Sequence, residues 1–259
     1  MDKKATCITF AHHKGGTGKT TSCINISGYL LKAGKKVLLV DLDPQGNATS
    51  GLGIDKNNIE TSMYDIMIGD TEIRSIILET EAGIHLAPAT IDLVGAESDM
   101  YGRQDRASVL KNILGEVSGY YDYIMIDTPP GSGLFIINGV VASDHVIVTL
   151  DAGIFALEGL ETLDIMFDDI RENLNVKVSV KMALLTNCIK PSIFSRIVGK
   201  VDPVKEIEVE ARKIFEKAFS IPHSVEIYEA HRKGLPISHY APRCKAGLAY
   251  QKIAEEVMR

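Results

Sequence analysis

No run of 18 consecutive apolar residues occurs in this sequence, so no segment reads as a membrane-spanning helix. Cysteine is scarce: Cys7, Cys23, Cys188 and Cys244 stand far apart and form no CxxC pair. That scatter argues against a disulfide framework or a paired-thiolate cluster site, and it suits reduced thiols in a cytosolic protein. Cys188 and Cys244 read as small packing residues. The opening Met1-Asp2-Lys3-Lys4 leads into a short apolar run stopped by His12 and His13, too short for an export signal, so a cytoplasmic location is expected. Internal repeats, low-complexity tracts and interdomain linkers are also missing. The 259 residues are expected to form a single domain, 1–259, large enough to need no metal or disulfide staple. The net charge of −6 argues against a surface coated with nucleic acid, but it is unevenly spread. From Cys188 onward 13 Lys or Arg stand against 9 Asp or Glu, which leaves the preceding part strongly acidic. Two readings fit that asymmetry, a basic face for phosphate polymers or an ordinary solvated helical surface.

Short apolar runs alternate with longer helical stretches. The spacing predicts strands over 6–11, 36–41, 84–87, 123–127, 145–150 and 178–186. Several are apolar almost throughout, as strands buried on both faces are. Helices are predicted over 20–32, 157–174, 204–218 and 246–258, and the stretch 57–97 reads as short helices and one strand. Strands alternating with helices imply βαβ units. The expected architecture is therefore α/β, a doubly wound, mainly parallel sheet with helices on both faces. Ligands of such sheets bind at the carboxyl ends of the strands, so the polar residues that follow strands are the candidates.

The segment after the first strand is His13-Lys14-Gly15-Gly16-Thr17-Gly18-Lys19-Thr20-Thr21. Glycines let consecutive backbone N–H groups turn toward phosphate oxygens without a Cβ clash, and the following helix adds its partial positive charge. Lys19 is placed to reach β- and γ-phosphates, and the Thr20 hydroxyl to ligate magnesium. His13 stands where the general pattern GxxxxGK[ST] has its first glycine, leaving KGGxGKT. Six specified residues at ordinary frequencies would match by chance in a chain of this length about once in 10⁵. ATP and Mg²⁺ are the expected ligands. Because neighbouring side chains on an extended strand diverge, His12 and His13 are not expected to bind a metal jointly, and His13 is expected to support the loop.

Two further strands end in carboxylates. Asp41 and Asp43 fall on the same side of an extended chain, and beside a triphosphate they would repel it unless magnesium and lysine intervene. Asp127 ends an apolar run and precedes Thr128-Pro129-Pro130-Gly131. Such an aspartate either caps the next element or, following a phosphate loop, holds magnesium through water, with Gly131 free to respond to the γ-phosphate.

KGGTGKT resembles the deviant phosphate loop of the ParA/MinD group of ATPases. The resemblance continues in Asp41-Leu42-Asp43-Pro44-Gln45-Gly46-Asn47, in the DxPP segment at Asp127, in the stretch 87–96, which is similar to PATxDLVGAE, and in Ala156-Leu157-Glu158-Gly159. It implies the P-loop NTPase fold and a partitioning ATPase of the ParA/Soj type. Within it, Lys14 would reach the partner subunit's ATP across a nucleotide-sandwich homodimer. Asp43 would orient the attacking water, and Asp41 would support the metal's water shell. Asn187 falls where an asparagine reads adenine, and Ile221-Pro222 resembles the region beside the base. The catalytic candidates are thus Lys14, Lys19 and Asp43. Nucleotide contacts would come from Lys14, Gly15, Gly16, Thr17, Gly18, Lys19, Thr20, Thr21, Asn187 and Pro222, and metal contacts from Thr20, Asp41 and Asp127.

The resemblance also implies ATP-gated, non-specific DNA binding through C-terminal cations, nucleoid association in the ATP state, and release by a ParB-like or other centromere-binding adaptor. The candidates are Arg196, Lys200, Arg212, Lys213, Arg232 and Lys233, with Lys205, Lys217, Arg243 and Lys245 beside them. One departure weakens this part: His223 and Glu226 stand where many family members carry arginine. The ending Ala254-Glu255-Glu256-Val257-Met258-Arg259 is not the basic amphipathic tail that docks relatives on anionic lipid, so no membrane binding is expected. Alternatives at this point are a related ATPase that positions a protein cargo, a MinD-like division regulator, and a reductase or metallocluster-assembly protein.

Overall fold

A computed structural model describes residues 4–152, 156–189 and 203–259. Eight strands form one sheet: β1 (Thr6–Ala11), β2 (Val37–Asp41), β3 (Leu78–Glu79), β4 (His85–Ala87), β5 (Tyr123–Asp127), β6 (His145–Asp151), β7 (Val180–Cys188) and β8 (Ala218–Pro222). Their spatial order is β3-β4-β2-β5-β1-β6-β7-β8. All described pairings are parallel except β3 with β4. The chain winds outward from β1 in one direction and then in the other, so β1, between β5 and β6, sits at the switch point where such sheets bind ligands.

The central strands are apolar without alternation because helices cover both faces. Ile8 and Phe10 of β1, Leu39 of β2 and Met125 of β5 share one core with α1 (Lys19–Lys32) and the terminal helix, which contributes Tyr250 and Ile253. On the opposite face, Leu38, Val40 and Ile126 meet Met63, Leu93 and Leu110 from α3 (Met63–Ile68), α5 (Leu93–Met100) and α6 (Val109–Gly115). Further along that face, Val148 and Ala183 pack on α7 (Leu134–Ala142), α8 (Ala156–Leu174) and α9 (Pro203–Ile214). The remaining helices are α2 (Asn47–Gly51), α4 (Ile73–Ile76), α10 (Val225–Arg232), α11 (Ile237–Tyr240) and the terminal α12 (Lys245–Val257).

Two sequence expectations need correction. The helix expected over 204–218 ends at Ile214, and Ala218 opens the edge strand β8 instead. The sequence AFSIP hides that strand, since Ser220 breaks the apolar run and Pro222 cannot donate to a ladder. The stretch 57–97 holds two strands rather than one, because the two-residue β3 turns back antiparallel on β4. Among the described residues no helix is long and apolar enough to cross a membrane.

Candidate functional site

The phosphate loop begins where β1 ends. His12 and His13 already lie beyond the strand, so the alternation expected of an extended chain does not reach them. Their rings stack, with centroids 4.5 Å apart and 23° between planes. His12 rather than His13 holds the loop, its Nδ1 accepting the Lys14 N–H at 2.9 Å. Burial, reinforced by His13, Lys19 and Lys14, pushes the His12 pKa down to about 3, so the ring remains a neutral acceptor near neutral pH.

The loop turns through left-handed backbone at Gly16 (φ +75°) and Gly18 (φ +83°), conformations that favour glycine. Space is short at Gly18 as well, where a Cβ would come within 2.9 Å of Thr186 Cγ2. Gly18 is the N-cap of α1 and offers no capping side chain, so the first N–H groups of the helix are left for a ligand. Two strand-end threonines clamp the loop. Thr17 Oγ1 pairs with Thr149 Oγ1 of β6 at 2.9 Å, and Thr186 Oγ1 of β7 donates to the Thr17 carbonyl at 2.9 Å. The buried Lys19 curls back, its Nζ donating to the Lys14 carbonyl at 3.2 Å. Burial pushes the Lys19 pKa down, and Asp127 and Asp43 pull it partly back. Lys14 itself is exposed.

Asp41 and Asp127 are register partners at the ends of β2 and β5, and both are fully buried. Their surroundings differ. Asp41 Oδ2 accepts from the Thr49 N–H at 2.8 Å and the Thr49 hydroxyl at 2.7 Å, and its Oδ1 accepts the Asp43 N–H at 3.1 Å. Both oxygens are engaged, which anchors α2 and the Asp43 turn and leaves acceptor capacity on Oδ1. Even so, burial pushes the Asp41 pKa up to about 6. Asp127 has neither oxygen in a hydrogen bond of good geometry. Burial, then the charge of Asp41, pushes its carboxyl well above the usual range, while the adjacent Thr20 hydroxyl and Lys19 act the other way. A buried, unpartnered carboxylate is costly unless a cation meets it. An oxygen-ligated divalent cation beside Thr20 fits that need. Asp43 stands nearer the surface, 6% exposed, with Oδ1 accepting the Gln45 N–H at 2.9 Å.

A cavity of about 740 Å³ opens above these groups, a size suited to a nucleotide. It gathers Gly15 to Thr21, Asp43, Asn187 and Pro222, whereas Lys14, Asp41 and Asp127 stand outside its lining. Asn187 adopts φ +53° at the end of β7, with Nδ2 3.4 Å from Asp151 Oδ1. Sequence reasoning missed Thr149 and Thr186, whose only signal was a hydroxyl near a strand end, and Thr49, which sits in the short helix α2. It also missed Tyr228, His231 and Tyr250, which line the far wall.

Among the described residues the DNA candidates fall on two elements, α9 and the end of α10. Arg212 pairs with Glu208 at 2.8 Å and Lys213 with Glu210 at 2.6 Å along α9. Arg232 lines the nucleotide-sized cavity and lies 5.9 Å from the Tyr228 ring, while Lys233 lies 4.9 Å from the Tyr240 ring. Arg196 and Lys200 fall outside the described residues. Glu226, at an arginine position of the family, occupies the first turn of α10 and accepts the Ser224 hydroxyl at 2.6 Å, a placement the helix dipole favours.

Comparison with known proteins matches residues 5–180 to a family described as an AAA domain. The chain is 38% identical over 255 residues to the chromosome-partitioning ATPase Soj of Treponema pallidum, covering 97% of this chain and 96% of that one. It is equally 38% identical over 252 residues to the sporulation initiation inhibitor protein Soj of Bacillus subtilis, covering 96% and 97%. Among solved structures it resembles cobyrinic acid a,c-diamide synthase from Mycobacterium smegmatis with bound ATP analog and magnesium. That match has a TM-score of 0.85 and 29% identity, covering 98% of this chain and 94% of the other.

Proposed function

Because the chain belongs to the ParA/Soj family of partitioning ATPases, we propose that it binds ATP with Mg²⁺ in the cavity above β1 and hydrolyses it as an ATP-gated homodimer. The observation that carries this reading is Asp127, a buried carboxylate with no partner for either oxygen, beside the Thr20 hydroxyl and the Lys19 ammonium. Thr20 and Asp127 would hold the ion, which would neutralise charge on the β- and γ-phosphates. Backbone N–H groups of Gly15 to Thr20 cradle the phosphates, and Lys19 swings from the Lys14 carbonyl to reach them. Asp43 orients the attacking water, with Asp41 and Thr49 fixing the turn that carries it. Asn187 and Pro222 border the base. Exposed Lys14 crosses to the partner subunit's nucleotide.

The whole chain, 1–259, acts as one domain in this cycle. The ATP dimer binds DNA non-specifically through C-terminal cations and thereby associates with the nucleoid. A ParB-like or other centromere-binding adaptor stimulates slow hydrolysis, which releases the dimer and moves a chromosome or plasmid. The exposed ion pairs on α9 do not prevent phosphate contact, because such pairs contribute little and open readily. An electrophoretic shift with duplex DNA, run at 50 and 200 mM salt, tests the reading. Binding is expected with ATP–Mg²⁺ alone, not with ADP, and it should fall by at least about tenfold at the higher salt. Equal binding in all nucleotide states would overturn the gating, and no binding in any state would favour a protein cargo moved without DNA.

A further inference from the structure

A second cavity, of about 690 Å³, lies at the opposite end of the sheet from the phosphate loop. Its walls come from the end of α1, the start of β2, α4, β4 and the turn before β5. The floor is apolar, made by Leu31, Val37, Ile77 and Val117. Three basic side chains, Lys35, Lys36 and Arg74, stand around it, and among the described residues no Asp or Glu lines it. Among the described residues none of the three is in an ion pair. Asp122 is tied to the Lys36 backbone: its Oδ2 accepts the Lys36 N–H at 2.9 Å and its own N–H donates to the Lys36 carbonyl at 2.8 Å.

The aromatic residues are already held in place. The Arg74 guanidinium lies 4.6 Å from the centre of the Tyr120 ring and donates to the Glu116 carbonyl at 3.0 Å. Tyr121 OH and His85 Nδ1 are 2.9 Å apart, with their rings edge-on. The carbonyls at the end of α1 do not oppose an anion here. Leu30 and Leu31 accept from Lys35 and Gly34 in a closing turn, with Gly34 at φ +76°. The cleft thus combines an apolar floor and two tyrosines with three cations that, among the described residues, make no ion pair, in a protein whose net charge is −6.

We propose that this cleft binds a small aromatic anion, its ring against Tyr120 and the apolar floor and its carboxylate or phosphate among Lys35, Lys36 and Arg74. The site is independent of the nucleotide cavity, since no residue lines both.

The test is saturation-transfer NMR and calorimetry on the full chain, with phenyl phosphate and indole-3-acetate as probes and excess ADP–Mg²⁺ filling the nucleotide site. Saturable 1:1 binding of one probe is expected, weakened about tenfold or more in Lys36→Glu/Arg74→Glu. The remote charge reversal Lys252→Glu should leave it unchanged. Thermal melts of both variants in ADP–Mg²⁺ check folding, and Lys36→Gln/Arg74→Gln supplies a milder second arm should the reversal unfold. The proposal is overturned if neither probe saturates below about 5 mM, if the cleft variants bind as the parent does, or if Lys252→Glu weakens binding equally.

Discussion

At the scale of single residues, the most informative contrast is between two buried aspartates facing each other across β2 and β5. Asp41 is hydrogen-bonded on both oxygens and Asp127 on neither. Replacing Thr49 by Val removes the hydroxyl that donates to Asp41 and accepts the Ala89 N–H. That change should destabilise the protein by about 2–3 kcal/mol, read as a lower urea midpoint at unchanged m. The pH dependence follows from pKa direction. The folded pKa of Asp41 is raised to about 6 from 3.8, and burial raises that of Asp127 well above the usual carboxylate range as well. Stability from these groups is therefore full below about pH 4 and lost as pH rises through 6 and beyond. His12 works oppositely: its folded pKa of about 3 means its contribution is present above 6.5 and lost as pH falls. A difference between melts with and without Mg²⁺, ADP present in both, reports on the carboxylate when Asp127→Asn is run beside the parent, since the titration of ADP itself is common to both. From pH 5 to pH 7.5 the Mg²⁺ increment in melting temperature should grow by several degrees more in the parent than in the variant. Equal growth in the two proteins would remove the ion from Asp127. The positions of Lys19 and Thr20 at the mouth of α1, and of Asp127 at a strand end, were readable because motif spacing and a continuous apolar run mark them. The engaged state of Asp41 was not, because its partner Thr49 lies eight residues on in a helix too short to announce itself.

At the scale of elements, α1 both opens the phosphate site and packs on the C-terminal helices. A Cβ at Gly28 would meet Ser238 Oγ at 2.5 Å and Pro236 Cβ at 2.6 Å. In an isolated helix, Gly28→Ala would gain about 1 kcal/mol of propensity. The clash with Pro236 is larger in prospect, about 1–3 kcal/mol, so the net expectation is loss of stability, measured by thermal denaturation. A stabilised variant would mean that the Pro236–Tyr240 segment yields easily. Most of the parallel strands were legible because full burial writes a continuous apolar run. Edge elements were not: β8 carries a serine and a proline, and β3 is two exposed residues. The stacked histidines escaped for a related reason, since strand alternation stops one residue before them.

At the scale of the whole molecule, the sheet presents two separate chemistries at its two ends, a phosphate loop with buried carboxylates and a cationic aromatic cleft. The family and its fold were legible from KGGTGKT and the strand–helix rhythm. The cleft was not, because Lys35, Arg74, His85 and Tyr120 converge only when β2, β4 and β5 lie side by side. The central proposal is an ATP-gated pair of subunits, in which Lys14 belongs to the neighbour's site and Asp43 to hydrolysis. The most direct measurement is the mass in solution, by sedimentation, of Asp43→Ala and of Asp43→Ala/Lys14→Ala, each with ATP–Mg²⁺ and with ADP–Mg²⁺. Asp43→Ala should sediment at twice the monomer mass in ATP and as monomer in ADP. The double variant should bind ATP yet remain monomeric. A monomeric Asp43→Ala with ATP bound, or a double variant that still dimerises, would contradict the two-subunit mechanism.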